Sequence, residues 1–447
     1  MSSSLIQNVL DASLPTIDRG QGVWLWDTSG RRYLDGCSGA VVTAIGHSHP
    51  HVLEAMRAQA ERVTFTHRGA FTSAALESAA ERIARMTGYA GVWFVGSGSE
   101  AVEAAMQFAL QYFQETGAPE RTVFLSAARG YHGNTLGALS ASGHARRRTV
   151  ADIALDIPAL PSPFAYREQG DRTEADYTAD LLSAARAVMR RHAGRLAAIL
   201  IEPVGGATLA ATTPPRGYLA GLKKLCEEFG ALFIADEVMT GMGRAGGALA
   251  SIDDGITPDL VAMGKGLGAG YTPIAATLVN DRVLRAIATG SGRVLGGHTY
   301  AGNPLSAAVV SAVLDVFERE HLIERAAAVG AMLRERLDDL ATRHPLIGDV
   351  RGRGMLQGLE FVQDRDTREV ALAQGEIAAR VFAAAMAEGL LVYPTSGGFI
   401  DAVQVAPPLT ITESEVEELV DRLDRALHAV ERRLIDDGAL STTEARR

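Results

Sequence analysis

Through the middle of the chain, short unbroken apolar runs alternate with stretches of helical periodicity. GVWFVG (91–96) leads into SEAVEAAMQFALQYFQE (99–115), and TVFLSA (122–127) follows. LAAILIEPV (196–204) precedes GYLAGLKKLCEEFG (217–230), after which come ALFIADEV (231–238), DLVAMG (259–264) and PIAATLV (273–279). Strands that are apolar throughout have no face for solvent. Separated by helices, they predict an α/β fold with a mainly parallel sheet covered on both sides.

The ends follow a different pattern. GVWLWDTSGRRYLDG (22–36) predicts a hairpin turning at Asp27 to Gly30. Beyond about residue 325, long amphipathic helices are broken by strand candidates MLQGLEFV (355–362) and LLVYP (390–394). The last helix opens at TESEVEELV (412–420), where Thr412 and Glu415 have capping-box spacing. The pattern predicts a large domain over 61–325 and a smaller α+β domain assembled from 1–60 and 326–447. Residues 144–178, rich in Arg, Pro and Asp, read as a surface excursion, and the tail STTEARR (441–447) reads as disordered.

Composition narrows the function classes. At 447 residues the chain exceeds what one core usually serves. With 43 Lys and Arg against 53 Asp and Glu, the net charge of −10 argues against a nucleic-acid binder and suits a cytoplasmic protein. Cys37 and Cys226, the only cysteines, predict neither a disulfide framework nor a thiolate metal site. The opening MSSSLIQNVLDASLPT lacks the pattern of a signal peptide, and no run reaches the roughly 18 apolar residues of a membrane span; Asp315 interrupts even AAVVSAVLDVF.

Candidate chemistry gathers where the predicted strands end. Lys265 follows DLVAMG with glycine on both sides. It is either a lysine reaching out from a strand end to water or an amine withdrawn from water, whose lowered pKa suits Schiff-base formation. A phosphate-binding P-loop fails here, because Asp259 stands at the first glycine's place and Gly266 follows the lysine. In FVGSGSEAVEAA (94–105), the N–H groups of Gly98 and Ser99 with the Ser99 hydroxyl offer an anion cradle at a helix start; the alternative is a plain N-cap. A dinucleotide fingerprint is incomplete, since Ala101 replaces the third glycine.

Asp236 and Glu237 end another apolar strand. They are solvated at its tip, bridged to Arg244, part of a magnesium site, or an anion facing a protonated ring nitrogen. Tyr131 and His132, in ARGYHGNTLGA (128–138), offer an aromatic that stacks on a flat cofactor or packs into the core. Thr299, in GGHTYAGNP (296–304), donates to a phosphate or sits in an ordinary turn. An amine, an anion, an aromatic and a phosphate cradle are the parts that hold pyridoxal phosphate.

In order along the chain stand GSGSEAVEAA, YHGNTLGAL, IEPVGGAT, IADEVMTGMGR, GKGLGAGYTPIAA, GHTYAGNP and VRGRGMLQGLEF. With these the sequence resembles the class III aminotransferases, the omega-aminotransferase or ornithine-aminotransferase-like group of fold-type I pyridoxal-phosphate enzymes, over nearly its whole length. The resemblance implies that Lys265 binds the cofactor and moves the substrate proton, and that Asp236 binds the pyridine nitrogen. Tyr131 and Val238 then cover the two ring faces, Gly98 and Ser99 hold the phosphate with His132 beside them in the cofactor site, and Glu202 lies near cofactor and substrate. It further implies that Thr299 reaches the phosphate of a neighbouring subunit's cofactor, hence a homodimer with composite sites. The activity implied is transfer of an amino group from an amine or amino-acid donor to a keto-acid or aldehyde acceptor.

The sequence departs from that family at the substrate. YPTSGGFIDAVQVAPPL lacks the arginine that commonly precedes APPL, and Val41 stands near the place of a common large aromatic. Arg68, in FTHRGAF (65–71), is either an alternative anion contact or an interface arginine. A racemase or epimerase of the same fold shares the cofactor motifs and is the main alternative. A non-catalytic cofactor binder is opposed by the intact Lys265, Asp236 and Tyr131 set, and a nicotinamide dehydrogenase by the broken glycine pattern.

Overall fold

The computed structural model describes residues 4–10, 12–370, 372–395 and 397–440; the tail 441–447 lies outside them. Its centre is a seven-stranded sheet in the order Gly91–Val95, Ala275–Val279, Leu260–Met263, Leu232–Asp236, Leu196–Ile201, Val123–Ala127 and Ala159–Leu160. From Leu260–Met263 to Ala159–Leu160 the pairing is parallel. Four strands, Leu196–Ile201, Leu232–Asp236, Leu260–Met263 and Ala275–Val279, are buried at every residue. Alternate side chains enter opposite cores. Ile199, Phe233 and Val261 join the cluster that holds Tyr218 and Leu222 of helix Tyr218–Phe229. Leu200, Ile234 and Ala262 join Val102 and Phe108 of helix Gly98–Glu115.

Two features differ from the sequence expectation. Ala275–Val279 runs antiparallel to both neighbours, because burial on two faces leaves the same apolar run in either direction. Residues 144–178 are more than a surface excursion: Ala159–Leu160 extends the sheet, and Ile157, Leu160, Phe164 and Tyr177 are buried.

The hairpin forms as expected, with Trp24–Asp27 paired to Arg32–Asp35. Asp27 Oδ1 accepts the Ser29 and Arg31 N–H groups at 2.9 Å and fixes the turn. Ile17–Gln21 adds a further strand. LLVYP divides between two sheets. Leu390–Leu391 pairs in parallel with Leu34 and Asp35, joining the two ends of the chain, whereas Tyr393–Pro394 pairs with Ala402–Val405. The latter strand also pairs with Leu356–Phe361, itself antiparallel to Ile347–Arg353. Helix Glu413–Asp436 starts with the expected capping box, the Thr412 side chain accepting the Glu415 N–H while Glu415 accepts the Thr412 N–H.

Candidate active site

The parallel strands end at one edge of the sheet, and the polar residues emerge there. Asp236 closes its strand, Glu202 follows Ile201, and Lys265 comes two residues after Met263. Tyr131 and His132 lie in the loop beyond Val123–Ala127, and Gly91–Val95 delivers the N-terminus of helix Gly98–Glu115. Eight of the residues singled out in the sequence (Gly98, Ser99, Tyr131, His132, Glu202, Asp236, Val238 and Lys265) line one cavity of about 210 Å³. Open α/β sheets bind ligands in this position, outside the strand C-termini.

Lys265 occupies the left-handed region at φ 44°, which is uncommon for a residue with a side chain. Before it, a Cβ on Gly264 would lie 3.3 Å from Val238 Cγ1 and 3.6 Å from Gly98 Cα, so glycine lets the strand end approach both walls. Burial lowers the amine to a pKa of about 8, helped by Arg244 and opposed by the carboxylates of Asp236 and Glu202. At pH 7 this raises the neutral fraction from about 0.03% to about 10%. A neutral amine is the form that attacks a carbonyl.

Asp236 is only 5% exposed, and its ion pair is with His132 rather than Arg244. Its Oδ2 lies 2.8 Å from His132 Nδ1, and its Oδ1 accepts the Val238 N–H at 3.0 Å. Burial pulls the His132 pKa down, but the hydrogen bond and charge of Asp236, with the charge of Glu202, raise it overall. His132 Nε2 is buried without a partner. Glu202 accepts the Tyr131 and Gly206 N–H groups, each at 2.9 Å. Burial and the nearby Asp236 push its carboxyl to about 6, against the pull of His132 and the two N–H groups.

Glu237 shares the strand tip and has a different task. At 1% exposure it accepts the Ala250 N–H at 3.1 Å, the Ser251 N–H at 2.7 Å and the Thr240 hydroxyl, organising the following loop. Arg244 donates to the Met355 and Pro407 carbonyls and to Ser38 Oγ, tying this loop to both chain ends.

The helix beside the cavity is capped by Ser97, whose Oγ accepts the Glu100 N–H at 3.2 Å. Ser99 is therefore free of the capping role, and its Oγ accepts the Asn134 N–H at 3.0 Å. Any Cβ at Gly133, where φ is +134°, would collide with Ser99 Oγ. The loop carrying Tyr131 is thus packed onto the helix N-terminus, whose positive end and N–H groups face the cavity.

The family pattern for class III aminotransferases matches residues 7–427. The chain belongs to the class III aminotransferases. It is 40% identical over 445 residues to the uncharacterized aminotransferase YodT of Bacillus subtilis strain 168, covering 98% of this chain and 100% of that one. It is 35% identical to the adenosylmethionine-8-amino-7-oxononanoate aminotransferase of Geobacter sulfurreducens, covering 93% and 92%. Among solved structures, an amine transaminase from an uncultivated Pseudomonas species in the PLP-bound form superposes with a TM-score of 0.90 at 34% identity, covering 96% and 98%. The omega transaminase of Pseudomonas jessenii in complex with PMP gives 0.90 at 30%, covering 95% and 94%. These relatives do not favour the racemase alternative.

As an aminotransferase the protein uses pyridoxal 5′-phosphate, and the cavity suits that group: a nucleophilic amine, a buried carboxylate, an aromatic and a helix N-terminus surround one space. Three of the residues singled out in the sequence stand elsewhere in the chain. Thr299 lies in an exposed loop next to Tyr300, which is 70% exposed. Arg68 stacks over Trp93 at 3.8 Å, and a Cβ on Gly297 would lie 2.9 Å from its Nη2, so it sits under the Thr299 loop. Val41, 2% exposed, is packed with Val204 and Ala211 in a cluster that Met239 of the cavity wall also touches. His132 bonding to Asp236, and Ser97 as the cap, went unread in the sequence; the serine is the only one of the two with a local signal, its position three residues before Glu100.

Proposed function

We propose that Lys265 and Asp236 are the catalytic pair of this aminotransferase, with Tyr131 and Val238 against the two faces of the cofactor ring. The observation that carries the reading is the shared cavity in which the Lys265 amine, with a pKa of about 8, faces the buried Asp236 carboxylate. The bound cofactor supplies a carbonyl that captures amines and a ring that takes up electrons when the substrate C–H bond breaks. Lys265 would anchor the cofactor at rest, and its amine, neutral in part at pH 7, would hold and move the proton of the substrate carbon. Asp236 would face the ring nitrogen and favour its protonated form, and His132, 2.8 Å away, fixes the orientation of Asp236. Gly98 and Ser99 hold the phosphate at the helix N-terminus. Glu202 lies beside cofactor and substrate, with Val41 supporting the wall from behind Met239.

The active form in this reading is a homodimer in the cytoplasm, with Thr299 of each subunit reaching the partner's phosphate. Support comes from the exposed Phe71 and Tyr300 and from Phe65, whose ring lies 6.1 Å from that of Tyr300. The small domain is formed by 1–60 and 326–447 around the large domain of 61–325, a division supported by the pairing of Leu390–Leu391 with Arg32–Asp35. Among the described residues no helix is long and apolar enough to cross a membrane.

The test is a half-reaction. Purified protein loaded with the cofactor is given single amines and amino acids without acceptor, and absorbance is followed. Loss of the lysine-bound band with growth of the pyridoxamine band is expected, and Lys265→Ala abolishes it. Racemisation of an enantiopure amino acid with the band unchanged would sink the assignment.

A further inference from the structure

One wall of the active cavity is a loop held in place from the C-terminal part of the chain. Val204 and Ala207 line the cavity beside Glu202. Their loop closes where the Gly205 N–H donates to the Thr212 carbonyl at 2.8 Å. Its backbone is costly, because Ala210 and Ala211, both fully buried, take φ of 47° and 57°. Arg351 fixes that end, donating to the Leu209 carbonyl at 2.8 Å and to the Ala210 carbonyl at 3.0 Å. Asp349 and Glu360 hold the guanidinium in turn.

The end nearest the site is fixed by Gln404. This residue interrupts the apolar run of strand Ala402–Val405 and is fully buried. Its Nε2 donates to the Gly206 carbonyl at 2.9 Å. The amide orientation follows, since a flip would set two acceptor oxygens against each other. In that orientation Oε1 is buried without a partner. An unpaired buried acceptor costs stability, and an apolar side chain of similar shape would avoid it. Packing alone therefore does not account for the glutamine.

The other polar group of Gly206 points to the chemistry. Its N–H donates to Glu202 Oε1 at 2.9 Å, and a Cβ there would lie 2.6 Å from Met239 Sδ. Gln404, Gly206 and Glu202 thus form one chain of hydrogen bonds ending in the cavity that Lys265 lines. The second Glu202 oxygen accepts the Tyr131 N–H, and the Glu202 charge reaches Lys265.

We propose that Gln404 is a positioning residue for amino transfer: by holding the Gly206 carbonyl it aims the Gly206 N–H at Glu202 and fixes that carboxylate in the cavity. The proposal rests on the reading that Glu202 lies beside cofactor and substrate.

Gln404→Met keeps much of the side-chain volume and removes the donor, and Gln404→Leu repeats the test with a second donor-free side chain. The thermal midpoint is expected to stay within about 4 °C of the wild-type value. In the crystal structure of the cofactor-free variant, Gly206 N and Glu202 Oε1 move beyond about 3.5 Å; a bond kept at 2.9 Å overturns the proposal. The holoenzyme is then given the fastest donor from a panel that includes L-alanine and 1-aminobutane, without acceptor, and the lysine-bound band is followed. The limiting rate falls by about 10- to 100-fold, while the half-saturating donor concentration changes by less than about threefold. Glu202→Ala slows the same step, and adding Gln404→Met to it slows the step no further, because the glutamine acts through that carboxylate. Losses that multiply in the double variant overturn the proposal, as does an unchanged limiting rate in Gln404→Met where Glu202→Ala is slow. If Glu202→Ala reacts at the wild-type rate, the reading of Glu202 fails and the proposal with it. If no amine changes the band, the cofactor assignment fails instead, and the variant's crystal structure still decides whether Gln404 holds Gly206.

Discussion

Lys265 carries a cost to the fold that its proposed role turns into chemistry. Burial disfavours the ammonium, lowering the pKa from an ordinary 10.5 to about 8. In the cofactor-free protein a cation held at a depressed pKa weakens the native state below that value, and the penalty fades as the pH rises from about 8 towards the ordinary lysine range. Lys265→Met therefore raises the thermal midpoint of the cofactor-free protein at pH 7, by the equivalent of about 2 kcal/mol once partial exposure is allowed for. The gain shrinks by pH 10, and activity is lost. A thermal midpoint that falls at pH 7 would show that the amine's contacts outweigh its desolvation. If Lys265 binds the cofactor as proposed, the rate at which the apoenzyme reloads with cofactor rises through about pH 8, a midpoint that an unperturbed lysine would place more than two units higher. Asp236 acts by charge where Lys265 acts by its absence. Asp236→Asn removes the anion facing His132 and is expected to lower kcat by about 100- to 1,000-fold with cofactor still bound, read from steady-state rates beside the bound-cofactor absorbance.

Elements were legible in the sequence where burial writes a pattern and illegible where a distant partner decides. The apolar run PIAATLV announces a strand buried on both faces, but nothing in it fixes direction, and Ala275–Val279 proves antiparallel. LLVYP has one strand's composition, yet its halves pair with strands more than 350 residues away in one case and about ten in the other. The motifs that line the cavity were readable because glycine and serine at strand ends carry local geometry. The contact of His132 with Asp236, 104 residues apart, carries no local mark. The same holds for His344, at the end of helix Leu322–Arg343, whose two ring nitrogens lie 2.9 Å from Glu431 and 2.8 Å from Asp424 of helix Glu413–Asp436. Burial lowers its pKa, but the two carboxylates raise it overall. Burial also opposes ionisation of Asp424, but His344 and Arg343 depress it. The His344 contribution is complete below the ordinary histidine pKa of about 6.5 and is lost as pH rises through the raised native value. That of Asp424 is present above its ordinary pKa of about 3.9 and is lost as pH falls through the depressed native one. His344→Gln should thus cost about 1–3 kcal/mol near pH 6 and much less at pH 9, measured by denaturant unfolding. An equal loss at both would leave packing as the whole effect.

At the scale of the molecule, the decisive question is whether one chain holds a complete site. The Thr299 loop is exposed and stands outside its own chain's cavity, although Lys265, Asp236 and the helix N-terminus all line it. If each site borrows Thr299 from the partner, two inactive variants can repair each other. Lys265→Ala removes the amine from its own site, and Thr299→Asp sets a carboxylate against the phosphate of the other. In a mixed dimer one site then carries both lesions and the second carries neither. Random exchange makes about half of the dimers mixed, each with one sound site of two, so an equimolar mixture should regain about a quarter of the wild-type activity. Each variant alone stays inactive, and the recovered activity rises on the timescale of subunit exchange. A mixture as inactive as its parents, with exchange confirmed by tagged subunits, would mean that Thr299 serves its own chain. The composite site would then be wrong while the Lys265 and Asp236 assignment stood, because that pair is contained within a single subunit.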